Sequence, residues 1–256
     1  MTLTVGSLFT GAGGIELGFH RAGLTPIWFC EKDPHAQLRL ARHWPGVPCH
    51  EDVRGVGAAC LARPDVLAGG FPCQPHSASG KQFGDADERD MWPEVVRLVR
   101  ELEPRFLVVE NVARLLTTQG GGFFGSMLAD LAALGLDAEW DCLPASAFGA
   151  AHERDRVFLV AYRPSLRGDA RGVLEAGEDW RASLQSRRVR GVEVARRGQP
   201  AGARLDSEPR LDRLVHGVSR GVDRHRLRLA GNAVYPAAAE FVGRMIISAN
   251  AAWLAA

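Results

Sequence analysis

Short, largely apolar runs alternate with longer amphipathic stretches along most of this chain. Leu3-Thr4-Val5-Gly6-Ser7-Leu8-Phe9, Pro26-Ile27-Trp28-Phe29-Cys30, Val66-Leu67-Ala68-Gly69, Phe106-Leu107-Val108-Val109 and Val157-Phe158-Leu159-Val160-Ala161 each read as a strand, and the fully apolar 106–109 as one buried on both faces. A further strand is expected around 139–143, and a short one leading into Glu51-Asp52-Val53. Between them, apolar residues at helical spacing predict helices over 15–22, 34–43, 91–102 and 123–134. Pro34 suits the first turn of the second helix, and the stripe Val95, Val96, Leu98, Val99, Leu102 reads as core. Strands and helices alternating through residue 162 predict a parallel, doubly wound α/β sheet.

The pattern then changes. Residues 163–206 are rich in Arg and Gly and weak in periodicity, as a solvated linker or a polyanion-binding module would be. A last amphipathic helix over 237–252 is expected to return to the body. The expected organisation is therefore a main domain, 1–162 plus 229–256, and a small second domain, 163–228.

Charge sharpens that division. The whole chain of 256 residues carries a net charge of +1, but residues 163–228 hold sixteen of its 31 basic and nine of its 30 acidic side chains. Only Lys32 and Lys81 are lysines; the other bases are arginines, suited to phosphate and guanine contacts. A basic segment on a mildly acidic body points to a nucleic-acid module on a catalytic body. Genomic base composition is a second source of such arginine richness.

No apolar run approaches the ~20 residues that span a bilayer, and the N-terminus has no basic n-region or cleavage site. An intracellular, cytoplasmic protein without a membrane partner is expected. The five cysteines (Cys30, Cys49, Cys60, Cys73, Cys142) are scattered and odd in number, without C-x-x-C spacing. That argues against a disulfide framework and against structural zinc, so no metal is expected.

Candidate chemistry gathers where strands end. The first strand runs into Thr10-Gly11-Ala12-Gly13-Gly14 and then a helix, leaving backbone N–H groups free for an anion. Glu31, twenty residues after Gly11 at the tip of the next strand, can hold a ribose diol. Asp52 is a third strand-end acid, placed to accept from an adenine amino group, with Glu51 as the alternative. The G-x-G-G spacing lacks the third glycine of a dinucleotide fingerprint, which leaves S-adenosylmethionine and nicotinamide cofactors both open at this point. Val66 to Gly70 ends in Phe71-Pro72, a turn that presents Cys73 as either a nucleophile or a buried thiol. The small, polar stretch 77–89, with Ser77, Ser79, Gly80, Lys81 and Gly84, suits a loop that closes over a substrate. Glu110 follows an apolar strand, where it either caps a turn or faces the site.

Taken together, these motifs resemble the DNA (cytosine-5) methyltransferases. Phe9-Thr10-Gly11-Ala12-Gly13-Gly14 is like that family's S-adenosylmethionine loop, Pro72-Cys73-Gln74 like its nucleophile motif, and Glu110-Asn111-Val112 like its E-N-V motif. Arg154-x-Arg156 resembles Q-x-R-x-R, with His152 in place of the glutamine, and Gly231-Asn232-Ala233-Val234 resembles the final G-N-A/S-V. Their order is the family's order. The resemblance implies a doubly wound, Rossmann-like methyltransferase sheet carrying a small target-recognition domain. It implies cofactor contacts from Phe9, Thr10, Gly11, Gly13, Gly14, Ile15, Glu31, Asp52, Val53, Gly70, Pro72, Asn232 and Val234. Gln74, Ser77, Ser79, Lys81, Arg187, Arg188, Arg190, Arg196 and Arg197 are the implied DNA contacts.

The mechanism so implied is covalent. The Cys73 thiolate adds to cytosine C6 while protonated Glu110 donates to N3; Arg156 holds O2 and Arg154 orders the site. The base must leave the duplex to be reached. The implied partner is double-stranded DNA, met by a monomer, with a cognate restriction endonuclease as a further partner. A tRNA cytosine-5 methyltransferase shares the motif set, and a catalytically silent DNA-binding homologue or a nicotinamide oxidoreductase are the other readings. The variable region between Arg156 and Gly231 is short for the family, and 206–223 resembles phage and prophage versions.

Overall fold

The computed structural model describes residues 2–72, 90–150, 154–167, 173 and 233–255. The chain enters as β1 (Thr4–Leu8), α1 (Gly14–Ala22), β2 (Thr25–Cys30), α2 (Pro34–His43), β3 (Cys49–His50) and β4 (Val66–Gly69). It continues as α3 (Trp92–Leu102), β5 (Phe106–Val112), α4 (Gly122–Ala133), β6 (Asp137–Pro144), β7 (Asp155–Tyr162), the single turn α5 (Pro164–Arg167) and the long α6 (Pro236–Ala255). Short 3-10 turns cover Val53–Gly55 and Ala145–Phe148, and the 3-10 stretch Ala113–Gly121 is broken by a kink at 118–120.

The strands form one sheet in the order β3-β2-β1-β4-β5-β7-β6. Side chains alternate across it with period two. Val66, Ala68, Phe106, Val108, Phe158 and Val160 face a layer built on α1 and α6. Leu67, Leu107, Val109, Val157 and Leu159 face the other layer, with Trp92, Val95 and Leu98 of α3 and Phe123 and Met127 of α4. Both faces are covered, and that explains why these strands read as continuous apolar runs.

Helix ends follow local chemistry. Asp33 caps α2 by accepting from the His35 and Ala36 N–H groups, and Pro34 needs no partner at the first position. Gly23, at φ 105, closes α1 in the left-handed conformation. The last helix returns to the body as expected: a Cβ on Gly18 would lie 2.3 Å from the Pro236 carbonyl oxygen, and one on Gly243 would lie 2.9 Å from Ala22 Cβ. Glycine at these places lets α1 and α6 meet backbone to backbone.

Two expectations need correction. The sheet is not parallel throughout, because β7 runs antiparallel to both β5 and β6. Only residues 145–154 separate β6 from β7. A parallel crossover needs about a dozen residues or more, usually with a full helix, so the chain turns back as a hairpin instead. Secondly, Glu110 does not follow β5 but lies inside it, since the ladder with β7 continues to Val112. Of residues 163–228, only 163–167 and Val173 are described. The division into two domains therefore lies almost wholly outside the described residues. Among the described residues, no helix is long and apolar enough to cross a membrane.

Candidate active site

The chain builds β1, β2 and β3 outward in one direction, then returns to lay β4 and β5 on the other side of β1. A crevice opens at such a reversal, at the carboxyl ends of the strands. The site residues of the described segments gather there. Neighbouring tips are tied by backbone bonds: the Thr10 N–H donates to the Cys30 carbonyl at 3.2 Å, and the Glu31 N–H to the His50 carbonyl at 2.8 Å.

The turn after β1 is sharply wound, with Phe9 at φ 52, Gly11 at φ 57 and Gly13 at φ 82. Gly13 begins α1 without a side-chain cap, so the helix's first turn keeps N–H groups for an outside acceptor. Glu31 reaches across from β2 and accepts from the Gly11 N–H at 2.6 Å and from the Asp33 N–H at 2.7 Å. Its carboxylate is thus aimed by the turn itself. Val234, just before α6, closes the same corner: a Cβ on Gly14 would lie 2.4 Å from its carbonyl oxygen. Ile15 is buried beneath.

Asp52 follows β3 and accepts from the Arg54 N–H at 3.0 Å, with Lys32 Nζ 3.7 Å away. The Arg54 backbone bond, aided by Lys32 and Arg54 charge, holds its carboxyl below the usual range. Val53 behind it is buried.

On the other side of the crevice, β4 ends at Gly69 and Gly70. A Cβ on Gly70 would stand 2.7 Å from Glu110 Oε2, so glycine is what admits the Glu110 carboxyl beside the β4 end. Glu110 pairs across the ladder with Phe158, and Arg156 sits diagonally two residues away on the same face. Arg156 Nε lies 3.0 Å from Glu110 Oε1, yet Oε1 accepts no aligned hydrogen bond. Burial pushes the Glu110 carboxyl up to about 7, against the opposing pull of Arg156 and then Arg154. A buried acid that is half protonated at neutral pH can give or take a proton there. Arg154 precedes β7 with φ 35.

The antiparallel β7 is what makes this cluster. Were β7 parallel to β5, its first residues would lie at the far end of the sheet from Glu110.

Asn111, read from the sequence only as the middle of the E-N-V motif and given no role there, has one in the structure. Its Nδ2 donates to the Phe71 carbonyl at 3.0 Å, and its Oδ1 accepts from the Val112 N–H at 2.9 Å. Phe71 is buried against Trp92 and Phe123. Asn111 and these rings fix the backbone that leads through Pro72 to Cys73. The signal was visible as a polar residue ending an apolar strand. Cys73 itself, with Gln74, Ser77, Ser79, Lys81 and the 77–89 loop, lies outside the described residues, as do His152, Arg187, Arg188, Arg190, Arg196, Arg197 and Asn232. The four cysteines that are described are thiols, not disulfides. Among the described residues, no group of three or more His, Cys, Asp or Glu side chains could hold a metal ion.

Two expected results follow from this geometry. Gly70→Ala drives a methyl group into the Glu110 carboxyl and is expected to cost about 1–3 kcal/mol, measured by chemical denaturation. An unchanged midpoint would show that the two strand ends are not in contact. Stability should also fall as pH rises. Glu16 and Glu110 both have carboxyls pushed up from 4.5 to about 7 by burial. Between those values the folded chain holds more protons than the unfolded one, so each acid removes on the order of 3 kcal/mol across the window, and the effect levels off above it. Denaturation midpoints at about pH 5 and about pH 7.5 test this, and a midpoint that rises with pH would contradict it.

Comparison with known proteins gives a consistent picture. A family model described as C-5 cytosine-specific DNA methylase matches residues 3–187. That span takes in every motif above except Gly231–Val234. The chain is 37% identical over 164 residues to the Type II methyltransferase M.NgoMIV of Neisseria gonorrhoeae, covering 64% of this chain and 53% of that protein. It is 34% identical over 165 residues to M.BsuFI of Bacillus subtilis, covering 64% and 40% respectively. The chain thus spans about half the length of the curated relatives it matches. A crystal structure described as a DNA modification methyltransferase encoded within an E. coli prophage superposes with a TM-score of 0.56 at 28% identity, over 66% of this chain and 49% of that one. The Dnmt2 methyltransferase of S. pombe gives 0.60 at 14% identity over 99% of both chains, a likeness of fold.

Proposed function

Because the chain belongs to the C-5 cytosine-specific DNA methylases, we propose that it transfers a methyl group from S-adenosylmethionine to C5 of a cytosine in duplex DNA. The observation that carries this reading is Glu110: a buried carboxyl raised to about 7, paired with Arg156, and touching the end of the strand that leads to Cys73.

The residues of the crevice fit the cofactor. Glu31, oriented by two backbone N–H groups, keeps lone pairs for a ribose diol. The uncapped first turn of α1 offers its N–H groups to the methionine carboxylate. Asp52 and Val53 would meet the adenine, with Phe9, Thr10, Gly11, Gly13, Gly14, Ile15, Gly70, Pro72, Asn232 and Val234 completing the wall. When bound, the cofactor supplies an electrophilic methyl group.

Cytosine C5 is a poor nucleophile, and the chain's own groups would change that. The Cys73 thiolate forms a bond to C6, while Glu110 gives its proton to N3, so that C5 gains enamine character. Arg156 would hold O2 as charge builds on the ring, and Arg154 would order the strand start. Loss of the C5 proton to a base then lets the C6–S bond break, which frees Cys73 as N3 returns its proton to Glu110. C6 is inaccessible within a duplex, so the base must be flipped out; the 77–89 stretch would close behind it, and Gln74, Ser77, Ser79 and Lys81 would meet the DNA. Arginines of 163–228 would supply phosphate and base-edge contacts. A monomer, with a cognate restriction endonuclease, belongs to the same reading.

Duplex DNA and tRNA offered side by side with methyl-labelled cofactor test the substrate. Label in DNA alone is expected; label confined to tRNA would overturn the proposal in favour of the RNA reading.

A further inference from the structure

Beneath the glycine turn, three polar side chains are buried together: Ser7, Thr10 and Glu16. Alternation along β1 puts Ser7 on the same face as Val5, towards α1, where Glu16 occupies the first turn. The Ser7 hydroxyl donates to Glu16 Oε1. Thr10 Oγ1 lies 3.3 Å from Ser7 Oγ, from the Ser7 carbonyl and from the Cys30 carbonyl. Glu16 Oε2, fully buried, has no hydrogen-bond partner.

The cluster spans a costly piece of backbone. Between Ser7 and Glu16 the chain passes through positive φ at Phe9, Gly11 and Gly13, and Phe9 pays the steric penalty of a side chain there. Such backbone persists only where its surroundings over-determine it. Glu31 holds the turn from the crevice side through Gly11; the Ser7–Glu16 bond holds it from beneath, joining the end of β1 to the start of α1.

We infer that Glu16 is a positioning residue for the cofactor: through Ser7 it keeps the 9–13 turn in the shape that receives S-adenosylmethionine, and it does so in its neutral form. The inference rests on the methyltransferase reading given above.

Neutrality follows from the surroundings. Burial pushes the Glu16 carboxyl up to about 7, the Ser7 bond and its own backbone N–H oppose this, and the charge of Glu31 adds to the rise. Among the described residues, no cation acts on it from the packed elements. β1 carries no ionisable side chain between Thr4 and Leu8. Burial pushes the Cys30 thiol of β2 up to about 12, leaving it uncharged. α6 brings Ala238, Ala239, Val242 and Gly243 into the layer with Ile15 and Phe19, while its Glu240 and Arg244 pair with each other. His20 and Arg21 lie in the last turn of α1, at the other end of the helix. Ionised Glu16 would stand behind Glu31 and behind the helix terminus that takes the cofactor's carboxylate, so binding should weaken as pH rises through about 7.

Titration calorimetry of S-adenosylhomocysteine against the full chain tests this at about pH 6 and about pH 8, with wild type and Glu16→Gln in parallel, so that ionisation of the ligand cancels. Glu16→Gln is expected to bind like wild type at the lower pH and to escape about a fivefold weakening that wild type shows at the higher one, the effect at that pH of one pKa unit of coupling. Ser7→Ala removes the donor without touching the acid, and is expected to bind several-fold more weakly at both. Parallel pH courses for wild type and Glu16→Gln overturn the inference alone. A wild type that binds no S-adenosylhomocysteine at either pH overturns the methyltransferase reading and this inference with it.

Discussion

Replacing Cys73 by alanine is expected to abolish methyl transfer while leaving cofactor affinity within about twofold of wild type, because the thiolate is the covalent partner of C6 and nothing else supplies it. Without that bond C5 stays electron-poor, and neither the acid nor the cofactor compensates. Alanine at 73 leaves untouched the Glu31, Gly11 and α1 groups proposed to hold the cofactor. Single-turnover transfer and equilibrium binding, measured on the same preparation, separate the two effects. Residual turnover above a few per cent of wild type would mean that Cys73 is not the nucleophile.

Glu110→Gln is expected to lower the rate by about 10²–10⁴, the usual contribution of a positioned general acid. Glutamine fills the same space beside Gly70 but has no acidic proton to give to N3. The pH profile adds a second signature. Glu110 is protonated below about 7 and ionised above it, so in wild type the acid-dependent limb falls as pH rises through that value. The Glu110→Gln variant should lack that limb. A variant within about threefold of wild type, with the limb intact, would move the acid role elsewhere.

The same residues show how far the sequence alone carries. Every described strand and long helix was legible: the central apolar runs face two covered layers, and helix ends carry local signals, Asp33 starting α2 and Gly23 stopping α1 among them. The direction of β7 was not. Val157–Ala161 is as apolar as a parallel strand would be, since burial on both faces dictates composition whichever way the strand runs. Loop length was the only clue, in the ten residues 145–154. Glu31, Glu110 and Arg156 were recognisable as strand-end chemistry, and they converge at the crevice. Glu16 was not singled out and Asn111 entered only as part of the E-N-V motif, because the contacts that give them weight, with Ser7 and Phe71, are tertiary. Glu16 sits on the helical face that should have been apolar; a carboxylate there is a local conflict of the kind that marks functional sites.

Target choice is proposed to lie in the basic segment 163–228. With a short basic segment, specificity would rest on few base contacts and more on phosphates, and binding should weaken steeply with added salt.

The central claim is tested most directly by bisulfite sequencing of DNA from cells that lack cytosine methylation of their own and express this chain. Cytosines within one recurring sequence should resist conversion in cells carrying wild type and convert fully in cells carrying Cys73→Ala. Complete conversion with the expressed wild-type chain, or equal protection by the Cys73→Ala variant, would contradict the proposed methyl transfer to cytosine C5 through Cys73.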